Sequence, residues 1–309
     1  MASITLRNRG RRRRQQHRIA PYEFLAPFFI FFIGLFIVPI VYAIIQALYT
    51  QKTNGLGFGV SRTVFVGLAN FESIVQSGTF WRGVGRVALF GIVQIPIMMI
   101  LALALALVLD TQLVRLRRFF RLAMFLPYAV PGVIAAILWS FLYLPGLSPI
   151  VPLLHHIPGL GHVNLVSRGT VLWSIANIVT WEWTGYDMLI VIASLQSIPP
   201  EIYEAARVEG ASEWQIAWRI KIPMLAPALG MSGLFSIIGT LQLFNEPLVL
   251  KSMTPAITSS YTPNMYAYST AFSSNNYHEA AAIAVLLAAI TFVFSFLLLT
   301  TLSRRGVLQ

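Results

Sequence analysis

Long stretches without a charged residue are the feature that most restricts what this chain can fold into. A helix that crosses a bilayer needs about 20 consecutive, mostly apolar residues. Six runs approach or exceed that length, although acidic residues interrupt the fourth and fifth. They are residues 24–49, 87–109, 122–144, 170–195, 225–250 and 280–302. The sequence therefore predicts an all-α, polytopic integral membrane protein with six transmembrane helices.

The composition excludes the main alternatives to a membrane protein. Only 11% of the residues are charged, whereas soluble domains carry about 25%. A disordered chain would be rich in charge and poor in apolar residues, but 57% of this chain is hydrophobic. The sequence has no cysteine, which excludes disulfides, thiolate catalysis and cysteine-ligated metals.

Basic residues are distributed unevenly, and their distribution predicts the topology. Of the 22 Lys and Arg residues, 16 lie in the N-terminal tail, in the second and fourth inter-helix connections, and at the C-terminus. Loops rich in Lys and Arg remain cytoplasmic, so both termini are expected in the cytoplasm. We expect residues 1–23 to form a basic tail that contacts anionic membrane lipid and not nucleic acid. Residues 24–309 would then form the transmembrane domain.

The connection between the fourth and fifth runs, residues 196–224, is too long and too patterned for a simple link. Ser197 is positioned to cap one short helix, and Gly210 can adopt the positive φ that ends it. Ser212 and Gln215 have the spacing of a capping box for a second helix. Apolar side chains beside these charges indicate either a docking surface or a helix lying on lipid headgroups; they are Ile202, Tyr203, Ala206, Trp214 and Trp218.

This loop resembles a known family. Glu204-Ala205-Ala206, Gly210 and Ile220-Lys221-Ile222-Pro223 are similar to the EAA loop of importer-type ABC permeases. Residues 186–190 and 195–199 resemble the carbohydrate, maltose-type branch of that family. In this family the loop is a coupling helix that seats in a cleft of the ATPase subunit. The resemblance therefore implies a set of ATPase-coupling residues: Tyr203, Glu204, Ala205, Ala206, Gly210, Ile220 and Pro223.

The resemblance also implies the fold and the partners. It implies a type I ABC importer permease fold, a second homologous permease, two ATP-binding cassette subunits and an extracytoplasmic solute-binding protein. The sequence contains no Gly-x-x-x-x-Gly-Lys-[Ser/Thr] phosphate loop. We therefore expect a transporter subunit that is not itself an enzyme and binds no cofactor, with ATP used by partner subunits. The sequence departs from the family pattern at residues 251–255, which read Lys-Ser-Met-Thr-Pro where this branch usually has Gly-Gly-Pro.

Polar residues inside the fourth and fifth runs are the candidates for substrate contact, because such residues are costly in a bilayer and are functional by default. Aromatic rings can stack on a sugar, and carboxylates and amides can bind its hydroxyls. Counted from opposite faces at 1.5 Å per residue, Tyr186 lies about 24 Å deep and Gln242 about 27 Å deep, so a broken or tilted helix is needed. An alternative is that the acidic residues pair with a partner subunit or lie among lipid headgroups. The predicted substrate-binding residues are Tyr186, Gln242, Asn245, Glu246, Glu182 and Asp187; no metal or catalytic residues are expected.

Two other functions fit parts of the sequence. Gly230-Met231-Ser232-Gly233 with His278 matches an intramembrane serine protease, but the predicted depths separate the two side chains by about 18 Å, where about 3 Å is required. A self-contained secondary transporter or channel for a small polar solute is the other alternative. It is distinguished from an ABC permease by whether the cytoplasmic loop binds an ATPase.

Overall fold

The computed structural model describes residues 23–53, 61–111, 114–144, 146–149, 151–152, 156 and 163–304. The basic tail, apart from Glu23, lies outside this part of the chain. The described residues are mostly helical, with one antiparallel hairpin, β1 (Tyr49–Thr53) and β2 (Ser61–Phe65). The helices are α1 (Glu23–Ala47), α2 (Ala69–Gln76), α3 (Gly78–Asp110), α4 (Arg117–Phe125), α5 (Gly132–Tyr143), α6 (Val171–Gln196), α7 (Pro200–Val208), α8 (Glu213–Ile216), α9 (Ala226–Leu241), α10 (Asn245–Leu250), α11 (Pro263–Phe272) and α12 (Tyr277–Arg304).

The predicted spans appear as helices, but they are not all straight. Within the described residues, four helical segments are long and apolar enough to cross a membrane, and five if a bent pair counts as one span. That pair is α4, extended by a 3-10 turn at Leu126–Ala129, and α5, which meet at 96°. The break falls at Pro131, which caps α5 and cannot continue the preceding helix. The multi-pass arrangement is clear, whereas the count of six stays a prediction.

The fourth predicted span, α6, is the central helix, and polar residues interrupt its apolar sequence. Half of its 26 residues are buried, and it packs along α3. Its polar residues are surrounded by protein, which explains how it carries Glu182 and Asp187. A Cβ at Gly185 would lie 1.8 Å from the carbonyl oxygen of Met124. Only glycine therefore allows the end of α4 to lie against α6.

Helices α1 and α12 present large apolar side chains outward. Phe24 is 85% exposed and Phe292 is 70% exposed, and none of the most apolar stretch of α1 is buried. A water-soluble protein avoids such a surface. In a bilayer the same surface contacts lipid, which agrees with the low charge of the sequence.

The bundle has two distinct ends. At one end the Asn70 side chain donates to the carbonyls of Ala47 and Tyr49, and His278 hydrogen-bonds to the carbonyl of Gln46. These hydrogen bonds hold the hairpin, α2 and the start of α12 together. At the other end an ion pair joins the last residue of α3 to the 196–224 loop. The two predicted cytoplasmic connections therefore share one end.

The 196–224 loop forms two short helices, α7 and α8, as predicted. Gly210 has a φ of +86° and ends α7 with its own N–H bonded to the Arg207 carbonyl. Ser212 and Gln215 form the predicted capping box. The expectation for Ser197 was wrong, because α6 runs to Gln196 and Ser197 caps its C-terminus, donating to the Ser194 carbonyl. Helix α8 continues through a π-helical turn (Ala217–Lys221) to Ile222–Met224.

Candidate functional site

A cavity of about 200 Å³ lies between α3, α6 and the segment from α9 to α10. This is somewhat smaller than most small-molecule sites, which measure about 300–1,000 Å³. Five of the six predicted substrate-binding residues contribute to its wall: Tyr186, Asp187, Gln242, Asn245 and Glu246. Apolar and small polar side chains complete the lining: Phe90, Gln94, Met98, Val179, Trp183, Phe235, Ser236, Gly239, Thr240, Leu243 and Phe244.

A break in the fifth span brings its polar residues to the cavity. Helix α9 ends at Leu241 and α10 begins at Asn245, with Gln242 to Phe244 outside both helices. The requirement for a broken helix is therefore confirmed. Their spacing of three and four residues would place Gln242, Asn245 and Glu246 on one face of a continuous helix, and that expectation was wrong, because the helix is interrupted between them. All three nevertheless line the same cavity.

An aromatic cluster forms part of the surroundings of the cavity, and one member was missed from sequence. The Tyr128 ring stacks on Tyr186 with centroids 4.7 Å apart and meets Trp183 edge-on at 5.1 Å. Tyr128 lies in the 3-10 turn after α4, between Pro127 and Pro131. Two prolines within an apolar run indicate a break, and that signal could have drawn attention to this residue.

Three carboxylates are buried near the cavity without a basic partner. Among the described residues the ion pairs are Arg207–Glu213 and Asp110–Lys221. The buried carboxylates are those of Glu182, Asp187 and Glu246.

The three carboxylates occupy different positions. One oxygen of Asp187 accepts a hydrogen bond from the Ser232 hydroxyl, and its other oxygen has no partner. Glu182 is not part of the cavity wall. A Cβ on Gly132 would lie 3.3 Å from Glu182 Oε1 and 3.4 Å from Glu246 Oε1, so these two side chains flank the start of α5. A direct contact between Glu182 and substrate stays a prediction.

Gln94 is a second residue of the wall that the sequence analysis missed. It is almost fully buried, and its side-chain nitrogen lies 3.3 Å from Thr180 Oγ1 and 3.3 Å from Met98 Sδ. Its side-chain oxygen has no partner within the described structure. It lies in an apolar run of α3, where a single glutamine is a weak signal. A buried, half-satisfied amide is suited to a solute hydroxyl.

The geometry does not support a serine protease. The Ser232 hydroxyl donates to Asp187, between α9 and α6. His278 lies at the start of α12 and bonds to the Gln46 carbonyl. The two side chains are therefore engaged at separate places in the fold.

The coupling residues predicted on α7 divide between two faces. Glu204 and Ala205 are exposed, Ala206 is buried and Tyr203 is partly buried. The outer surface of the loop also carries a ring pair, Trp214 and Trp218, with centroids 5.5 Å apart. Of the remaining predicted coupling residues, Ile220 is partly buried, and Gly210 and Pro223 are exposed.

An ion pair joins α7 to α8 at the surface of the loop. Arg207 Nε donates to Glu213 Oε1 at 2.8 Å. The Arg207 guanidinium lowers the pKa of the Glu213 carboxyl, and the carboxylate raises the pKa of Arg207. Both side chains are largely exposed, so the pair organises the loop more than it stabilises the fold.

Comparison with known proteins establishes the family. Residues 98–309 match the family described as "Binding-protein-dependent transport system inner membrane component". The chain belongs to this family. It is 32% identical to the lactose transport system permease protein LacF of Rhizobium radiobacter, with 89% of this chain and 91% of LacF covered. It is 29% identical to the probable starch degradation products transport system permease protein AmyD of Thermoanaerobacterium thermosulfurigenes, covering 88% and 94%.

A solved structure shows the same fold. The chain superimposes on a bacterial alginate ABC transporter, in complex with an alginate pentasaccharide-bound periplasmic protein, with a TM-score of 0.79 at 21% identity. The match covers 95% of this chain and 97% of the other. This chain is therefore a membrane-embedded ABC importer permease and not an enzyme. The matched family region contains the EAA loop and most of the cavity wall.

Proposed function

We propose that this chain is one permease subunit of an ATP-driven importer that carries an uncharged sugar or polyol across the cytoplasmic membrane. It pairs with a second permease, receives substrate from an extracytoplasmic binding protein, and is driven by two ATPase subunits docked on the 196–224 loop. The chain itself binds no cofactor. The observation that carries this proposal is the convergence of Tyr186, Gln242, Asn245 and Glu246 on one cavity inside a binding-protein-dependent permease.

The chemistry of the cavity favours a sugar. Trp183 and Tyr186 offer ring faces to the C–H surface of a pyranose, and Gln242 and Asn245 can both donate and accept hydrogen bonds. A cavity with apolar walls and a few convergent polar groups is typical of small-molecule sites. Two relatives are named for lactose and for starch degradation products, which supports the same class.

The carboxylates favour an uncharged cargo over an anionic one. Asp187 and Glu246 contribute to the wall, and the described residues that line the cavity include no lysine, arginine or histidine. An anionic cargo would therefore find no cationic partner among these residues, and burying an unpaired charge is costly. The alginate transporter, whose cargo is an acidic polysaccharide, is therefore a guide to the fold and not to the substrate.

The direction of the chain in the membrane follows from the charges. The end of the bundle that holds the 196–224 loop also carries Arg115 and the arginines at the start of α4, so we assign this end to the cytoplasm. The hairpin end then faces outward. Helices α1 and α12 each run between the two ends, so both termini are assigned to the cytoplasm.

The test is ATP-dependent uptake of labelled lactose and maltose into proteoliposomes that contain the complete importer. Tyr186→Ala removes the ring that stacks on Tyr128 and faces the cavity, and is expected to raise the KM for uptake about 10-fold. Tyr186→Phe keeps the ring and is expected to stay near wild type. Unchanged kinetics in Tyr186→Ala would remove this residue from the site.

The same assay tests the alternative function. A self-contained secondary transporter or channel would carry solute without the ATPase subunits. Proteoliposomes that hold the permeases alone are expected to show no uptake. Uptake by the permeases alone, driven by an ion gradient, would favour the alternative.

A further inference from the structure

A buried lysine lies where the 196–224 loop, hereafter the coupling loop, contacts α3, one of the helices that line the cavity. Lys221, in the π-helical turn after α8, is only 7% exposed, whereas lysine is rarely buried unless it is paired. Its Nζ lies 2.5 Å from Oδ2 of Asp110, the last residue of α3. The two residues are 111 positions apart in the chain. The pair therefore fastens two elements that the sequence does not connect locally.

Tyr203 adds the coupling helix to this contact. The ammonium of Lys221 lies 5.0 Å from the centroid of the Tyr203 ring, within the range of a cation–π interaction. Tyr203 directly precedes Glu204-Ala205-Ala206 on α7. Burial, and to a lesser extent the Asp110 carboxylate, raises the pKa of the Tyr203 hydroxyl. The three residues therefore join α3, α7 and the end of α8.

Helix α3 is not adjacent to the 196–224 loop in the sequence, so only contacts between side chains can connect the two. The 196–224 loop continues directly from α6 and leads into α9, so movement of the loop reaches those helices through the backbone. Helix α3 instead contacts the loop through side chains. Apolar residues clustered there include Leu109, Ile198 and Leu225, but apolar surfaces can slide, whereas a partly buried ion pair favours one register.

The other end of this connection is the cavity wall. Helix α3 is continuous from Gly78 to Asp110 and contributes Phe90, Gln94 and Met98 to the lining. Gln94 lies 16 residues before Asp110, or about 24 Å along the helix axis. Pro96 lies in the interior of α3 but does not break it, so a displacement of Asp110 is passed to the wall along one continuous helix.

We propose that Asp110, Lys221 and Tyr203 are positioning residues that carry movement of the coupling loop to α3 and so to the substrate cavity. This inference rests on the proposed function, because the movement originates in the ATPase subunits. The exposed face of α7 receives the ATPase, and the inner face holds α3 through Lys221.

The experiment measures sugar uptake and ATP hydrolysis together in proteoliposomes of the complete importer, using lactose and maltose. Asp110→Asn and Lys221→Met are expected to lower the amount of sugar carried per ATP hydrolysed about 10-fold. ATPase subunits should still co-purify with both variants. Lys221→Arg and the exchanged pair Asp110→Lys with Lys221→Asp keep the attraction and are expected to recover most of the ratio.

The matched control is Lys52→Met, which makes the same change as Lys221→Met at an exposed lysine of the hairpin, outside the loop and away from its contact with α3. It should keep the wild-type ratio. A merely structural role would lower uptake and hydrolysis in parallel, and the ratio would not change. That result, or wild-type ratios in both single variants, would overturn the inference. Failure of the wild-type importer to hydrolyse ATP in response to sugar would instead overturn the proposed function.

Discussion

At the scale of single residues, Gly185 decides whether α4 and α6 can pack. A methyl group there would lie 1.8 Å from the Met124 carbonyl oxygen, and a backbone atom cannot move aside as a flexible side chain can. We expect Gly185→Ala to lower the free energy of unfolding by about 1–3 kcal/mol, the usual cost of overpacking. Thermal unfolding of the purified protein in detergent measures this. The Tyr128–Tyr186 stack depends on the same close packing of α4 against α6, so we expect the substitution to disturb this stack as well.

A second glycine provides the control for this substitution. Gly233 lies inside α9, and a Cβ there would meet no atom within 4 Å. Gly233→Ala is therefore expected to keep or slightly raise stability, because alanine is the better helix former. Equal unfolding temperatures for the two variants would show that the close approach of α4 to α6 does not constrain the fold.

At the scale of elements, the bend between α7 and α8 sets the shape of the coupling loop. Gly210 has a φ of +86°, and its N–H bonds to the Arg207 carbonyl at 3.0 Å. Proline cannot adopt this φ, and it has no N–H to donate to the Arg207 carbonyl. Gly210→Pro is expected to abolish sugar-stimulated ATP hydrolysis while the protein still inserts into the membrane.

Asparagine tolerates the left-handed region, so Gly210→Asn should retain most of that stimulation. Both variants are compared with wild type by ATP hydrolysis in proteoliposomes, with and without sugar and binding protein. Full stimulation in Gly210→Pro would mean that the bend is not needed for coupling.

The elements also show which parts of the structure the sequence could predict. The capping box at Ser212 and the turn at Gly210 depend on residues within one or two turns of each other, so short motifs were sufficient. The resemblance of the loop to the EAA motif indicated the family for the same reason. The polar residues of α6 and the break before Asn245 were predictable because intramembrane polar groups are rare and the simple helix depths disagreed.

Other features depend on contacts between distant segments. The stacking of Tyr128 on Tyr186 requires the 96° bend between α4 and α5. The pairing of Asp110 with Lys221 requires the end of α3 to lie beside the loop. No local periodicity encodes either contact, and the helical pattern over Gln242 to Glu246 failed because a tertiary break overrode it.

At the scale of the whole molecule, the uneven distribution of basic residues predicts an orientation that labelling can test. The chain has no cysteine, so single cysteines can be introduced without background. Lys52→Cys on the exposed hairpin should react with a membrane-impermeant maleimide on intact cells. Glu209→Cys at the end of α7 should react only after permeabilisation. The wild-type chain is the unlabelled control, and the reverse pattern would invert the proposed topology.

Two helices, α3 and α6, connect the cavity with the 196–224 loop. Helix α6 carries Tyr186 and Asp187 at the cavity and leads directly into the loop, while α3 reaches the loop through Lys221. A force applied at the end of the bundle that holds the loop therefore has two routes to the cavity. The low charge of the chain follows from its membrane helices, and its buried acids lie where a solute would pass.

The measurement that tests the account most directly is sugar-stimulated ATP hydrolysis by the complete importer with Glu204→Lys. Glu204 is exposed on α7, where reversal of its charge would oppose docking of the ATPase. Glu23→Lys makes the same change outside the loop, at the start of α1, and serves as the control. We predict loss of stimulation in Glu204→Lys and wild-type stimulation in Glu23→Lys. Wild-type stimulation in Glu204→Lys would contradict the assignment of this loop as the coupling element.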